Sequence, residues 1–187
     1  MKITLLGNCQ TKGLTWYIEQ LNDNFDVKWI CVDSFDKAGW ALTKNFKGKD
    51  IPIIFKQNES AKRLKDSDCI IFQNIKPETS KYFHNSAIQK HKSHAKLISI
   101  STFYYEPEDP EEKYLKGMIK RANTFNIDIP AHKIIQKHGS KITIQQYNHP
   151  HVFYFLELVR EICAKTDWDY YSEKQYNQYL KEGYPFG

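Results

Sequence analysis

The sequence predicts an α/β fold: a three-layer sandwich with a mainly parallel central sheet and a helical carboxyl-terminal part, spanning residues 1–187 as a single domain. Three observations carry that expectation. The opening residues, MKITLLGNCQTKG, read as strand, tight turn and helix. Apolar strand-like runs then alternate with helix-like segments as far as Thr102, the pattern of parallel strands joined by crossovers. From Phe103 onward the texture changes to proline-punctuated loop and amphipathic helix.

Taken in order, Ile3, Leu5 and Leu6 form a short apolar strand broken by Gly7-Asn8, and a helix-like segment runs from Leu14 to Leu21. Val27 to Val32 reads as a second strand. The stretch from Phe35 to Lys49 has no clean period and mixes short helix with loop. Ile51 to Phe55 is apolar but contains Pro52, which confines any strand there to an edge or to a start at the proline. Glu59 to Lys65 is a short helix. Asp68 to Phe72 is the signature of a buried strand, and it ends in Gln73-Asn74. A helix over Glu78 to His91 and a strand over Lys96 to Ile100 follow.

Tyr104 to Pro110 is an acidic loop, and Glu111 to Thr124 a helix with acids in its first turn, as the helix dipole favours. Ile127 to Gln145 yields only a short helix, Ala131 to His138. Val152, Phe155, Leu156, Val159 and Ile162 then fall at helical spacing, with Pro150 placed in that helix's first turn. The tyrosine-rich tail carries a last helix, Ser172 to Lys181.

Composition narrows the function. With 41% hydrophobic and 26% charged residues the chain reads as a soluble globular protein. No run approaches the roughly 20 apolar residues needed to span a bilayer, and no secretory signal is visible, so a cytoplasmic protein without membrane insertion is expected. Cys9, Cys31, Cys69 and Cys163 stand far apart without a CxxC pair, which argues against a metal site or a disulfide scaffold. Cys31 and Cys69 lie in apolar runs and read as core.

The net charge is +5, and the segment from Lys37 to Lys65 carries eight Lys/Arg against Asp50 and Glu59. Such a segment suits a polyanionic ligand such as a nucleotide or coenzyme A. Nucleic acid as a partner is not expected, because no dense basic cluster or recognition module is present. Gly7 to Gly13 is not a phosphate-binding loop either: Lys12 precedes Gly13 instead of following it.

The chemistry centres on Cys9. In a parallel sheet the carboxyl end of an inner strand opens onto the ligand crevice, and a cysteine at the start of a helix is drawn toward thiolate by the unpaired amides there. Gln73 and Asn74 would fall at the same edge. The amides of Cys9 and Gln10, and the side chains of Gln73, Asn74 or Asn8, are the candidate oxyanion donors. A cysteine nucleophile needs a base, and His149 is favoured over its competitor His151 because Pro150 pins its backbone ahead of a helix.

Strand-Gly7-Asn8-Cys9-Gln10 at the amino terminus, Ile71-Phe72-Gln73 at a strand's end and Asn148-His149-Pro150 before a late helix together resemble the WcbI polysaccharide-biosynthesis family. That family is similar in layout to the SGNH/GDSL hydrolases, with cysteine in place of their serine. The resemblance implies an SGNH- or flavodoxin-like sandwich and a coenzyme A-dependent acetyltransferase that O-acetylates a sugar of a capsular or surface polysaccharide.

Acetyl-CoA and a sugar or nucleotide-sugar would then be its partners, with no metal. On this resemblance Cys9 would be the nucleophile or line the thioester, His149 the base and Gln73 the group polarising the carbonyl. Gly7, Gln10, Lys12 and Tyr104 would meet the coenzyme, and Trp16, Tyr17, Tyr104 and Tyr105 offer flat faces for a sugar. The hydrolases carry an acid three residues before the histidine, where this chain has Gln146. The expectation is therefore a dyad. An esterase or thioesterase on the same layout, and a non-catalytic coenzyme-binding module, are the alternatives.

Overall fold

A computed structural model describes residues 1–32, 57–75, 84–102, 111–138, 144–146 and 149–183. The readings for Phe35 to Lys49, Ile51 to Phe55 and Tyr104 to Pro110 lie outside the described residues. The fold is α/β, and the chain divides into two compact units, Met1–Ser99 and Ile100–Pro185.

In the first unit, strands β1 (Lys2–Gly7), β2 (Asp26–Cys31), β3 (Cys69–Gln73) and β4 (Lys96–Ile100) form a parallel sheet in the order β2-β1-β3-β4. β1 lies between β2, paired from Lys2↔Asp26 to Gly7↔Cys31, and β3, paired from Ile3↔Cys69 to Leu6↔Phe72. A strand with neighbours on both sides has both faces to bury, which is why Ile3, Thr4, Leu5 and Leu6 are all fully enclosed. The chain leaves β1 for β2 on one flank and then crosses to β3 on the other. That reversal makes the carboxyl ends of β1 and β3 the switch point of the sheet, where α/β folds open a crevice.

Helix α1 (Cys9–Glu19) begins earlier than the apolar pattern predicts. Asn8, in extended conformation, caps it by accepting the Gln10 N–H on Oδ1 at 3.0 Å. Thr11 binds the Asn8 carbonyl twice, through its amide at 3.0 Å and its hydroxyl at 2.7 Å. The same hydroxyl accepts from Trp29 Nε1 at 2.9 Å, which fastens α1 to β2 through a fully buried indole. The helix predicted over Glu78 to His91 is described only as α3 (Asn85–Ile88) and a 3-10 turn (Gln89–His91), residues 76–83 lying outside the described part.

The amino-terminal edge of the sheet is held by Arg63 of α2 (Gln57–Lys65), which is 9% exposed. Its guanidinium donates to Thr4 Oγ1 and the Ile3 carbonyl, each at 3.1 Å, to an Asp26 carboxylate oxygen at 2.5 Å and to the Asp26 carbonyl. Burial alone would raise the Asp26 carboxyl. The hydrogen bond and charge of Arg63, helped by Lys28 and Lys2, outweigh it and leave the group below its ordinary value.

A depressed folded-state pKa stabilises above the unfolded value and is lost as pH falls through the folded one. The stability gap between wild type and Arg63→Met is therefore expected to be widest above about pH 5 and to narrow toward about pH 2, read from urea unfolding at each pH. A gap that is constant over that range would show that the pair contributes no pH dependence.

The second unit contains α4 (Glu111–Phe125), α5 (Ala131–His138), a hairpin of β5 (Ile144–Gln146) and β6 (His149–Pro150), α6 (Val152–Thr166) and α7 (Glu173–Glu182). Ile100 makes an isolated parallel bridge to Ile129, and the Ser101 N–H donates to the Ile129 carbonyl at 3.2 Å. α6 buries Val152, Phe155, Leu156, Val159 and Ile162, the residues whose spacing predicts it. Ser172 caps α7 with a reciprocal capping box to Gln175.

One placement needs correction. Pro150 is not in the first turn of α6 but in β6, opposite Ile144, and the cap of α6 is His151. Proline has no N–H to donate and tolerates the edge of a two-stranded ribbon, so the helix starts only after it. Among the described residues, no helix is long and apolar enough to cross a membrane.

Candidate active site

The four cysteines separate cleanly. None is in a disulfide, and Cys31, Cys69 and Cys163 are buried as core while Cys9 alone is exposed. Burial pushes the Cys69 and Cys163 thiols up to about 12, where they are inert as nucleophiles. Cys9 is the first residue of α1, immediately beyond the switch-point end of β1.

The turn that presents it is built around Gln73. This side chain, 3% exposed, accepts the Asn8 N–H on Oε1 at 2.8 Å and donates from Nε2 to Gln10 Oε1 at 3.3 Å. It reaches across the end of β1 only because residue 7 has no side chain. A Cβ there would meet Gln73 Oε1 directly, stand 2.7 Å from Thr11 Cγ2 and 2.9 Å from Gln73 Cδ. Gly7, Asn8, Gln10 and Gln73 are thus brought together as the sequence predicts for one sheet edge.

Their contacts differ from an open oxyanion pocket, however. The Gln10 amide is already taken by Asn8 Oδ1, and both ends of the Gln73 amide bind within the turn. Gln73 therefore shapes the Cys9 turn. Asn74 is tied elsewhere, its Oδ1 accepting from Asn85 Nδ2, while Asn85 Oδ1 takes the Ile75 N–H at 3.0 Å.

Lys12, expected to meet the coenzyme, is enclosed. It is 8% exposed, and its ammonium lies 5.9 Å from the Trp29 ring centroid, within cation–π range. Burial lowers its pKa, while the thiols of Cys31 and Cys9 act in the opposite direction. Of the aromatic faces, Tyr17 is fully buried against Trp16, with ring centroids 4.9 Å apart, and belongs to the core. Tyr104 and Tyr105 lie outside the described residues.

His149 belongs to the second unit, where its backbone pairs with Gln146. Its competitor His151 accepts the Phe153 N–H on Nδ1 at 3.2 Å. Sequence reasoning missed this capping role, the tie through Thr11 and the burial of Lys12. Asn8 followed by Thr11 is a helix-start signal that could have exposed the second.

Among the described residues there is no group of three or more His, Cys, Asp or Glu that could hold a metal ion. Compared with protein-family models, with curated proteins and with solved structures, the chain matches none.

Proposed function

We propose that the chain is a coenzyme A-dependent O-acyltransferase, resembling the WcbI family, that moves an acetyl group to a sugar hydroxyl in surface-polysaccharide synthesis. The observation that carries this reading is the position of Cys9: the one exposed thiol, at the first turn of the helix that leaves the central strand. The strand order β2-β1-β3-β4 supports a doubly wound, flavodoxin- or SGNH-like sandwich, whose ligands sit at the β1/β3 switch point.

In this mechanism the Cys9 thiolate attacks the thioester carbonyl. The new C–S bond forms to Cys9 as the coenzyme's C–S bond breaks, and the coenzyme leaves as a thiolate that takes its proton from solvent. The sugar hydroxyl then attacks the acyl-cysteine, its proton passes to a base, the role that the resemblance gives to His149, and Cys9 is released. The α1 amides near Cys9 lend positive potential to the carbonyl oxygen. Gln73 contributes by fixing the turn.

Incubating the protein with acetyl-CoA and no acceptor is expected to add one acetyl group to Cys9, located by peptide mass spectrometry, and none in Cys9→Ser. A sugar acceptor should discharge it. Discharge by water at the same rate would favour the esterase reading. Absence of any acetyl on Cys9 would overturn a covalent role for it.

A further inference from the structure

Lysine is almost never buried unless its charge is met, which makes Lys12 the least ordinary group in the Met1–Ser99 unit. Cys9 and Lys12 are three positions apart in α1 and so share one helix face. The lysine stem is enclosed, 8% exposed, and its ammonium sits over the ring of Trp29, itself fully buried and anchored to Thr11. Two thiols act on that ammonium: Cys31 from the end of β2, 3% exposed, and Cys9 from its own helix. From β3 the side chain facing the turn is the neutral amide of Gln73. Of the two sulfurs only Cys9 is open to a reagent.

We propose that Lys12 is the charge partner of Cys9, a positioning residue that holds the exposed sulfur as thiolate from within the same turn of helix. The proton leaves Sγ for solvent, and no other bond changes. This deepens the acyltransferase reading and rests on Cys9 being its nucleophile. It also means that the nucleophile is activated inside the first unit.

The test needs no coenzyme. The rate of Cys9 alkylation by iodoacetamide is followed against pH by peptide mass spectrometry in wild type, Lys12→Met and Lys12→Arg. Methionine keeps a stem over Trp29 without the charge, and arginine keeps the charge. An opposite charge within a few ångströms moves a thiol by about one to three pH units. Lys12→Met is therefore expected to slow alkylation at pH 7 by about tenfold or more and to raise the midpoint, while Lys12→Arg stays within about threefold of wild type.

Cys31, Cys69 and Cys163 stay unmodified wherever the fold is intact, and so report on it in the same digest. An unchanged profile in Lys12→Met, or a shift that arginine fails to prevent, overturns the proposal. Should Lys12→Met fail to fold, Lys12→Gln replaces it in the same comparison with Lys12→Arg, and a wild-type Cys9 midpoint at or above the ordinary thiol value of about 8.5 overturns the proposal by itself. Normal alkylation without acetylation by acetyl-CoA would instead remove the transferase reading and leave this one standing.

Discussion

Gly7→Ala is expected to cost about 2–4 kcal/mol, because the new methyl collides with Gln73 and Thr11 and the overpacked turn also loses the Gln73–Asn8 hydrogen bond. Urea unfolding followed by circular dichroism measures it. The accompanying effect is on Cys9, whose presentation depends on Asn8 capping α1, so its alkylation rate should change with the turn. Shortening the obstructing side chain provides the control. Gly7→Ala combined with Gln73→Ser should recover part of the loss, a coupling that a double-mutant cycle quantifies. If the two losses simply add, Gln73 is not what excludes a side chain at position 7.

Glu157→Ala is expected to cost about 2–3 kcal/mol, the range for removing a buried hydrogen-bonded carboxylate, with the Arg160 pair discounted because that side chain is 45% exposed. Glu157 on α6 is 2% exposed. It accepts from His138 Nε2 of α5 at 2.9 Å and from Arg160 Nη1 at 3.2 Å. The Arg160 guanidinium in turn stacks 4.9 Å from the Tyr170 ring centroid and 5.4 Å from that of Tyr176. One carboxylate therefore joins two helices and an aromatic wall, and alanine would leave His138 without its acceptor. Glu157→Gln keeps an acceptor of the same shape and should cost distinctly less in the same unfolding assay. Equal losses for the two would assign the effect to packing volume.

The elements that the sequence announces are those whose residues bury themselves for local reasons. β3 and β4 are apolar runs, and the apolar positions of α6 repeat at helical spacing, so their cores could be read directly. Cys31 and Cys69 are buried as their neighbours imply. α1 was harder: Gly13 interrupts its first turns with a poor helix former, and its start is fixed by the Asn8 cap and by Thr11, a matter of hydrogen bonds instead of period. The hairpin of β5 and β6 left no pattern, being three and two residues long and defined by each other.

At the candidate site, residue types at one sheet edge could be inferred from parallel topology. What Gln73 and Gln10 bind could not, because it follows from a missing Cβ at Gly7 and from the distance across the sheet. The burial of Lys12 is illegible for a related reason: it depends on α1 carrying the ammonium to 5.9 Å from the Trp29 ring centroid, on another element.

The sheet order has a consequence for biosynthesis. The strand made first sits in the interior, and one flank of it is closed only by a segment whose Asp68 carboxylate accepts the Lys2 N–H across 66 positions. A nascent chain emerging from the ribosome can pair β1 with β2 early, but it must carry the other edge of β1 uncovered until β3 has cleared the exit tunnel. The Cys9 turn, which needs Gln73, would be among the last features of this unit to take shape.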